Sequence, residues 1–249
     1  MASLRAAIRN EFCLMYYRKT TLIFMVVSVV VPILATFAFR SLKSVLGIIS
    51  VNSSFPIEML GVYTAIWIPI FLFLTIAELF PHEVSTRTLK LSLLRPITRF
   101  RIYLAKLSAL AVAIAALLFL LLAVTLICNA LAGSVGQSLA DWFGFVKAYF
   151  AGFLSMLALA AFFSWVSQFF RSSSGFLTFS IVIYAAAKIA PYFVKGFSAF
   201  SLASYTDWYV LWLSNTVASG RLLTSSLFVL SGIVLFVSLG YLSFERREV

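Results

Sequence analysis

The sequence predicts an all-α integral membrane protein with six transmembrane helices. Three observations carry that reading. The chain of 249 residues is 63% hydrophobic, with a mean hydropathy of +1.06. Only 11% of its residues are charged, where a soluble domain usually carries about 25%. Apolar runs recur at the length of about 20 residues that a helix needs to cross a bilayer. The basic residues gather between alternate runs, as they do when Lys and Arg are retained on the cytoplasmic side.

Residues 1–19 come first. Leu4, Ile8, Phe12 and Met15 fall within an arc of about 80° on a helix, with Arg5 and Arg9 beside it and Arg18 and Lys19 closing the segment. This pattern predicts an amphipathic helix lying in the membrane interface. Glu11 sits near the apolar arc and counts against it. The first span is 20–39 and contains Pro32, which predicts a kink or a place where a neighbouring helix satisfies the freed backbone. A loop with Asn52, Ser53 and Ser54 leads to the second span, 56–79, which contains Pro69.

The segment from Glu83 to Lys106 holds six basic residues, Arg87, Lys90, Arg95, Arg99, Arg101 and Lys106. Within it Leu89, Leu93 and Ile97 repeat at helical spacing, and Pro96 interrupts the pattern. A short amphipathic helix over 83–99 follows, lying between two spans and suited to docking a partner. The third span is 103–130, longer than a bilayer requires. A Gly- and Ser-rich turn over 133–141 precedes the fourth span, 145–170, and Arg171 to Ser174 form a short connection. The fifth span is 175–194. Phe197, Phe200, Tyr205, Trp208, Tyr209 and Trp212 then mark an aromatic stretch read as short interfacial or re-entrant helices. The sixth span, 222–244, ends in a charged tail.

With both termini inside, thirteen basic residues lie on the cytoplasmic side and six on the other. Small residues at four-residue spacing in the third span (Ala109–Ala113, Ala111–Ala115) and the fourth (Ala151–Ser155, Ala160–Ser164) would allow close helix approach. The whole chain, 1–249, reads as a single transmembrane domain. Its net charge of +11 does not point to nucleic acid, because the cations lie between apolar runs rather than on a soluble basic face. Cys13 and Cys128 fall on opposite sides of this topology and are not expected to pair.

Catalytic groups are sparse. The single histidine, His82, has no Cys or Asp neighbours with which to hold a metal, and reads as a polar boundary residue. The eight acids form no close pair, and no G-x-x-x-x-G-K-[ST] occurs to cradle a nucleotide phosphate. No catalytic, cofactor-binding or metal residue is therefore assigned. Glu58, Glu78 and Lys188 are the ionisable residues within or beside spans. All three lie near span ends, where the ordinary reading is an interfacial side chain and the alternative is a polar group facing a transport path.

A motif emerges from the basic segment. Glu83 precedes Thr88 by five residues; Leu89, Lys90 and Leu93–Leu94 follow, then Arg95–Pro96, Thr98–Arg99, and Lys106 at the next span. On these residues and the six-span layout, the chain resembles the permease subunits of ABC-2-type transporters, the type V ABC exporters. Arg87 stands where that family commonly has Gly. The resemblance implies that residues 83–99 form a cytoplasmic coupling helix, with Glu83, Arg87, Thr88, Lys90, Leu93, Arg95 and Arg99 docking a separate ATPase. It implies a pair of cytosolic ABC ATPase subunits, which bind the ATP and Mg, and a second permease copy or sister permease. It also implies a multi-pass protein of the bacterial or archaeal plasma membrane, with both termini in the cytoplasm.

The expected function is export of an amphipathic or hydrophobic substrate, peptide, antibiotic or lipid-like, with antibiotic resistance or immunity placed first among cargoes. A second reading is a membrane assembly or scaffold protein that recruits a cytosolic partner through its basic loop without transport. An intramembrane enzyme ranks last, because convergent catalytic residues are missing.

Overall fold

Residue by residue, apolar composition becomes a bundle of long helices. The computed structural model describes residues 2–46, 55–86, 98–131, 139–194, 196, 201–213 and 219–246. Helix α1 is Ala2–Tyr16 and α2 is Lys19–Leu46. The second apolar run is continuous but not uniform: α3 (Phe55–Val62), a π-helical turn (Tyr63–Trp67) and α4 (Ile68–Leu79) follow one another. Helix α5 is Pro81–Ser85, and α6 is Arg99–Leu131. Helix α7 is Leu139–Ser167 and α8 is Ser173–Phe193. A 3-10 helix (Leu202–Asp207) and α9 (Tyr209–Leu213) precede α10 (Ser219–Glu245).

Six helical stretches among the described residues are long and apolar enough to cross a membrane: Lys19–Ala38, Phe55–Ser85, Arg99–Leu131, Trp142–Ser167, Ser173–Phe193 and Gly220–Glu245. The fold class is thus the all-helical six-span one. Several helices run past the apolar runs that announce them. Helix α2 continues to Leu46, α6 starts at Arg99, and α7 starts at Leu139. Hydrogen bonding sustains a helix beyond the hydrocarbon, so apolarity does not mark its ends.

The second and fourth spans form the core of the bundle. Ile68, Phe71, Leu72, Phe73 and Ile76 are all buried, and Phe73 meets Phe163 of α7 with ring centroids 4.5 Å apart. Small residues bring α6 and α7 close. Ala109, Ala113, Ala151, Ser155, Ala160 and Ser164 are buried, which permits tight backbone approach. Ala111 and Ala115 are not buried, although Ala111 lines a crevice with Ala160 and Ala161 of α7. The first, fifth and sixth spans lie at the periphery and present Leu34, Phe37, Ile181, Val182, Val234 and Leu235 outward.

Both mid-span prolines are braced from a neighbouring helix. Pro32 has no N–H to give the Ser28 carbonyl, and the Tyr63 hydroxyl donates to that carbonyl at 3.4 Å. Trp67 Nε1 donates to Ser28 Oγ at 3.2 Å. Pro69 likewise leaves the Ala65 carbonyl without its amide, and the Tyr184 hydroxyl of α8 donates to it at 2.7 Å. The π-helical turn just before Pro69, where the Ile68 N–H reaches back to the Tyr63 carbonyl, widens the ladder to admit the ring. The sequence offered a kink or a neighbour's help at Pro32; the neighbour supplies it.

Candidate functional site

The charged residues converge where α2, α6 and α8 begin and where the second and sixth spans end. Two ion-pair arrangements and one charge-assisted hydrogen bond tie this end together. At the centre is Lys106, two turns into α6 and wholly buried. Its Nζ donates to Glu83 Oε1 at 2.5 Å and lies 3.4 Å from Glu11 Oε1. Glu83 comes from α5 and Glu11 from α1, so one ammonium joins three helices. A lysine without water at its head is tolerated only when counter-charges surround it, and two carboxylates here do so.

Glu83 is held by local geometry. Phe80 breaks the direction of α4, Pro81 opens the short α5 with a fixed φ, and Glu83 occupies its first turn. The Thr86 N–H and hydroxyl and the Ser85 hydroxyl all donate to the His82 carbonyl, at 3.0, 2.9 and 2.8 Å. That closes α5 just before the basic segment. Glu11 projects from the bundle-facing side of α1 beside Met15, which is buried. The acid that interrupts the apolar arc of the first helix is therefore the one that anchors it.

A second pair lies alongside. Arg18 Nη1 donates to Glu78 Oε2 at 2.8 Å, and the Thr20 hydroxyl donates to Glu78 Oε1 at 3.0 Å. Both carboxylate oxygens of Glu78 are thus engaged by the start of α2. A third link joins the beginning of α6 to the end of α10. Arg99 Nη1 donates to the Glu245 carbonyl at 2.7 Å, where a cation suits the exposed carbonyls of a helix C-terminus.

Of the docking residues named from sequence, Glu83 and Arg99 are turned toward the bundle in these contacts. Arg87, Thr88, Lys90, Leu93 and Arg95 lie outside the described residues. Glu83 and Arg99, which flank the basic stretch 87–97 in the sequence, are thus both anchored to the bundle. Glu58, in the first turn of α3, is exposed at the opposite end of the bundle. Lys188 is at that end too, donating to the Thr206 hydroxyl and to Asp207 Oδ2 at 3.3 Å. Among the described residues, no group of three His, Cys, Asp or Glu side chains converges as a metal site would require.

Of the aromatic stretch, Tyr205 to Trp212 lie in the 3-10 helix, α9 and the residue between them, packed on α7 and α10, while Phe197 and Phe200 lie outside the described residues. Trp208 Nε1 donates to Ser225 Oγ at 3.0 Å, and Tyr205 stacks on Phe228 with centroids 4.9 Å apart. Tyr209 is buried, and its hydroxyl comes so close to Gly61 that any Cβ there would lie 2.7 Å from it. Burial, and after it the Asp207 carboxylate, push the Tyr209 phenol above its ordinary value. Beneath this cap an apolar cavity of about 460 Å³ opens between α7, α8, α10 and the 3-10 helix. Phe162, Phe163, Tyr184, Leu202, Phe228 and Phe236 line it.

Sequence reading missed the roles of Glu11, Arg18 and Lys106. Each was countable as a retention charge or an awkward acid. A usable signal existed: a lysine in the first turn of an apolar span and an acid on an apolar helix face each require a partner. The chain matches the family model described as ABC-2 family transporter protein over residues 7–187. That span runs from α1 to near the end of α8 and includes all three members of the buried charge cluster. No curated protein matches the chain.

Proposed function

We propose that this chain, which belongs to the ABC-2 transporter family and is the permease subunit of an ABC transporter, serves an exporter. In this reading a separate cytosolic ATPase docks on residues 83–99, through Glu83, Arg87, Thr88, Lys90, Leu93, Arg95 and Arg99. Two such ATPase subunits bind ATP and Mg, and a second permease copy or sister permease completes the path. Both termini lie in the cytoplasm. The observation that carries the proposal is the Lys106 junction. A push on the segment after Glu83 reaches α6 through a 2.5 Å charged contact and α1 through the same ammonium. Closure of the ATPase pair would thereby tilt spans rather than merely bend a loop.

An amphipathic or hydrophobic cargo is supported by the apolar cavity beneath the aromatic cap, since ligand sites are mostly apolar with few polar groups. The test is charge reversal of Lys90 and Arg95 together, because a basic docking surface suits an acidic groove. The double variant should lose co-purifying ATPase or its stimulated ATP hydrolysis while the permease stays folded. Survival of both would remove the docking assignment and favour a scaffold that recruits its partner elsewhere.

A further inference from the structure

A second cavity, of about 590 Å³, lies beside the Arg18–Glu78 pair and has no part in the coupling described above. It sits where the first and fifth candidate spans begin and the second ends, which is headgroup level for all three. Its polar rim comprises Arg18, Lys19, Thr20, Glu78, His82 and Ser173. Its wall below is apolar, made by Leu74, Ala77 and Leu177. A polar rim above an apolar wall matches an amphiphile rather than a soluble ion.

The charge selects the amphiphile. Glu78 has both oxygens engaged, by Arg18 and Thr20. The Arg18 guanidinium has further N–H groups beyond the one donated to Glu78. Lys19 is exposed on the same rim. Arg18 and Lys19 against Glu78 leave an excess of one positive charge among the lysine, arginine and acidic side chains of the rim. Ser173 adds a hydroxyl and opens the 21-residue helix α8, whose first-turn N–H groups favour an anion. The Ser172 hydroxyl accepts from the Gly175 N–H at 3.2 Å, leaving the N–H groups of Ser173 and Ser174 without an intrahelical acceptor.

We propose that this cavity binds the monoanionic phosphate headgroup of a phospholipid such as phosphatidylglycerol, its acyl chains running down Leu74 and Leu177. The inference needs only the membrane-spanning fold and stands apart from the export reading. The experiment is native mass spectrometry of the full chain in detergent, titrated with palmitoyl-oleoyl phosphatidylglycerol or phosphatidylcholine. The wild type should retain the anionic lipid preferentially. Lys19→Ser should weaken that retention about fivefold, the effect of one cation near a membrane surface, and Lys19→Arg should restore it to within a factor of about two. Lys147→Ser, which removes an exposed cation at the opposite end, should leave it unchanged. Equal retention of both lipids, an unaltered Lys19→Ser variant, or an equal loss in Lys147→Ser would overturn the proposal. So would displacement of the lipid by excess inorganic phosphate, which would identify a free-anion site.

Discussion

Replacing Lys106 with Met tests the buried junction most directly, because Met keeps the length of the stem and deletes the charge. At an effective dielectric of about 20, a 2.5 Å contact supplies roughly 6–7 kcal/mol of attraction and a 3.4 Å contact about 5. Desolvation of the ions, several kcal/mol each, offsets most of this. The measurable quantity is therefore the cost of stranding the partners, about 3–5 kcal/mol for removal of one member of a buried pair. Glu11 and Glu83 are only 15% and 17% exposed, so the two carboxylates would face each other with little water between them. Adding Glu11→Gln and Glu83→Gln removes the stranded charges and should recover most of the loss. Glu11→Gln alone leaves the shorter pair intact and should cost least. Thermal unfolding of the detergent-solubilised chain, followed by tryptophan fluorescence, ranks the four proteins. A Lys106→Met variant that unfolds at the wild-type temperature, or a triple variant no better than the single one, would refute the reasoning.

Two further substitutions probe the packing. Tyr184→Phe strips the donor from the Ala65 carbonyl and should cost about 1–3 kcal/mol in the same unfolding assay, the penalty of an unsatisfied buried acceptor. Gly240→Ala would drive a Cβ into the Tyr103 hydroxyl, which is buried and has no hydrogen-bond partner among the described residues. Overpacking of this kind costs about 1–3 kcal/mol; Tyr103→Phe, neutral by itself, should rescue it in the double variant.

The spans were legible because about 20 apolar residues have few other uses, and Pro32 and Pro69 announced where help would be needed. Their ends were less legible. The turn read over 133–141 gives way to helix at Leu139, and the loop after Phe39 is helical to Leu46. Hydropathy detects the bilayer's thickness, whereas the helix ends where its hydrogen bonding does. The charged site was half visible. Glu83, Arg99 and Lys106 stood out by their place in a motif, but Glu11 is 95 positions from Lys106 by the numbering, and only the packing of α1 against α6 shows that they answer one another. Glu78 and Lys188, read as span-end residues, each meet an opposite charge nearby.

The tyrosine braces have a mechanical consequence. A proline in an isolated span acts as a swivel, since its missing hydrogen bond leaves the two halves free to pivot. Here Tyr63 and Tyr184 lock both swivels from the side, and each lock reaches a different helix. The first, second and fifth spans are thereby laced together at their prolines. Shearing one member past another would bare a carbonyl to hydrocarbon, at a cost of several kcal/mol.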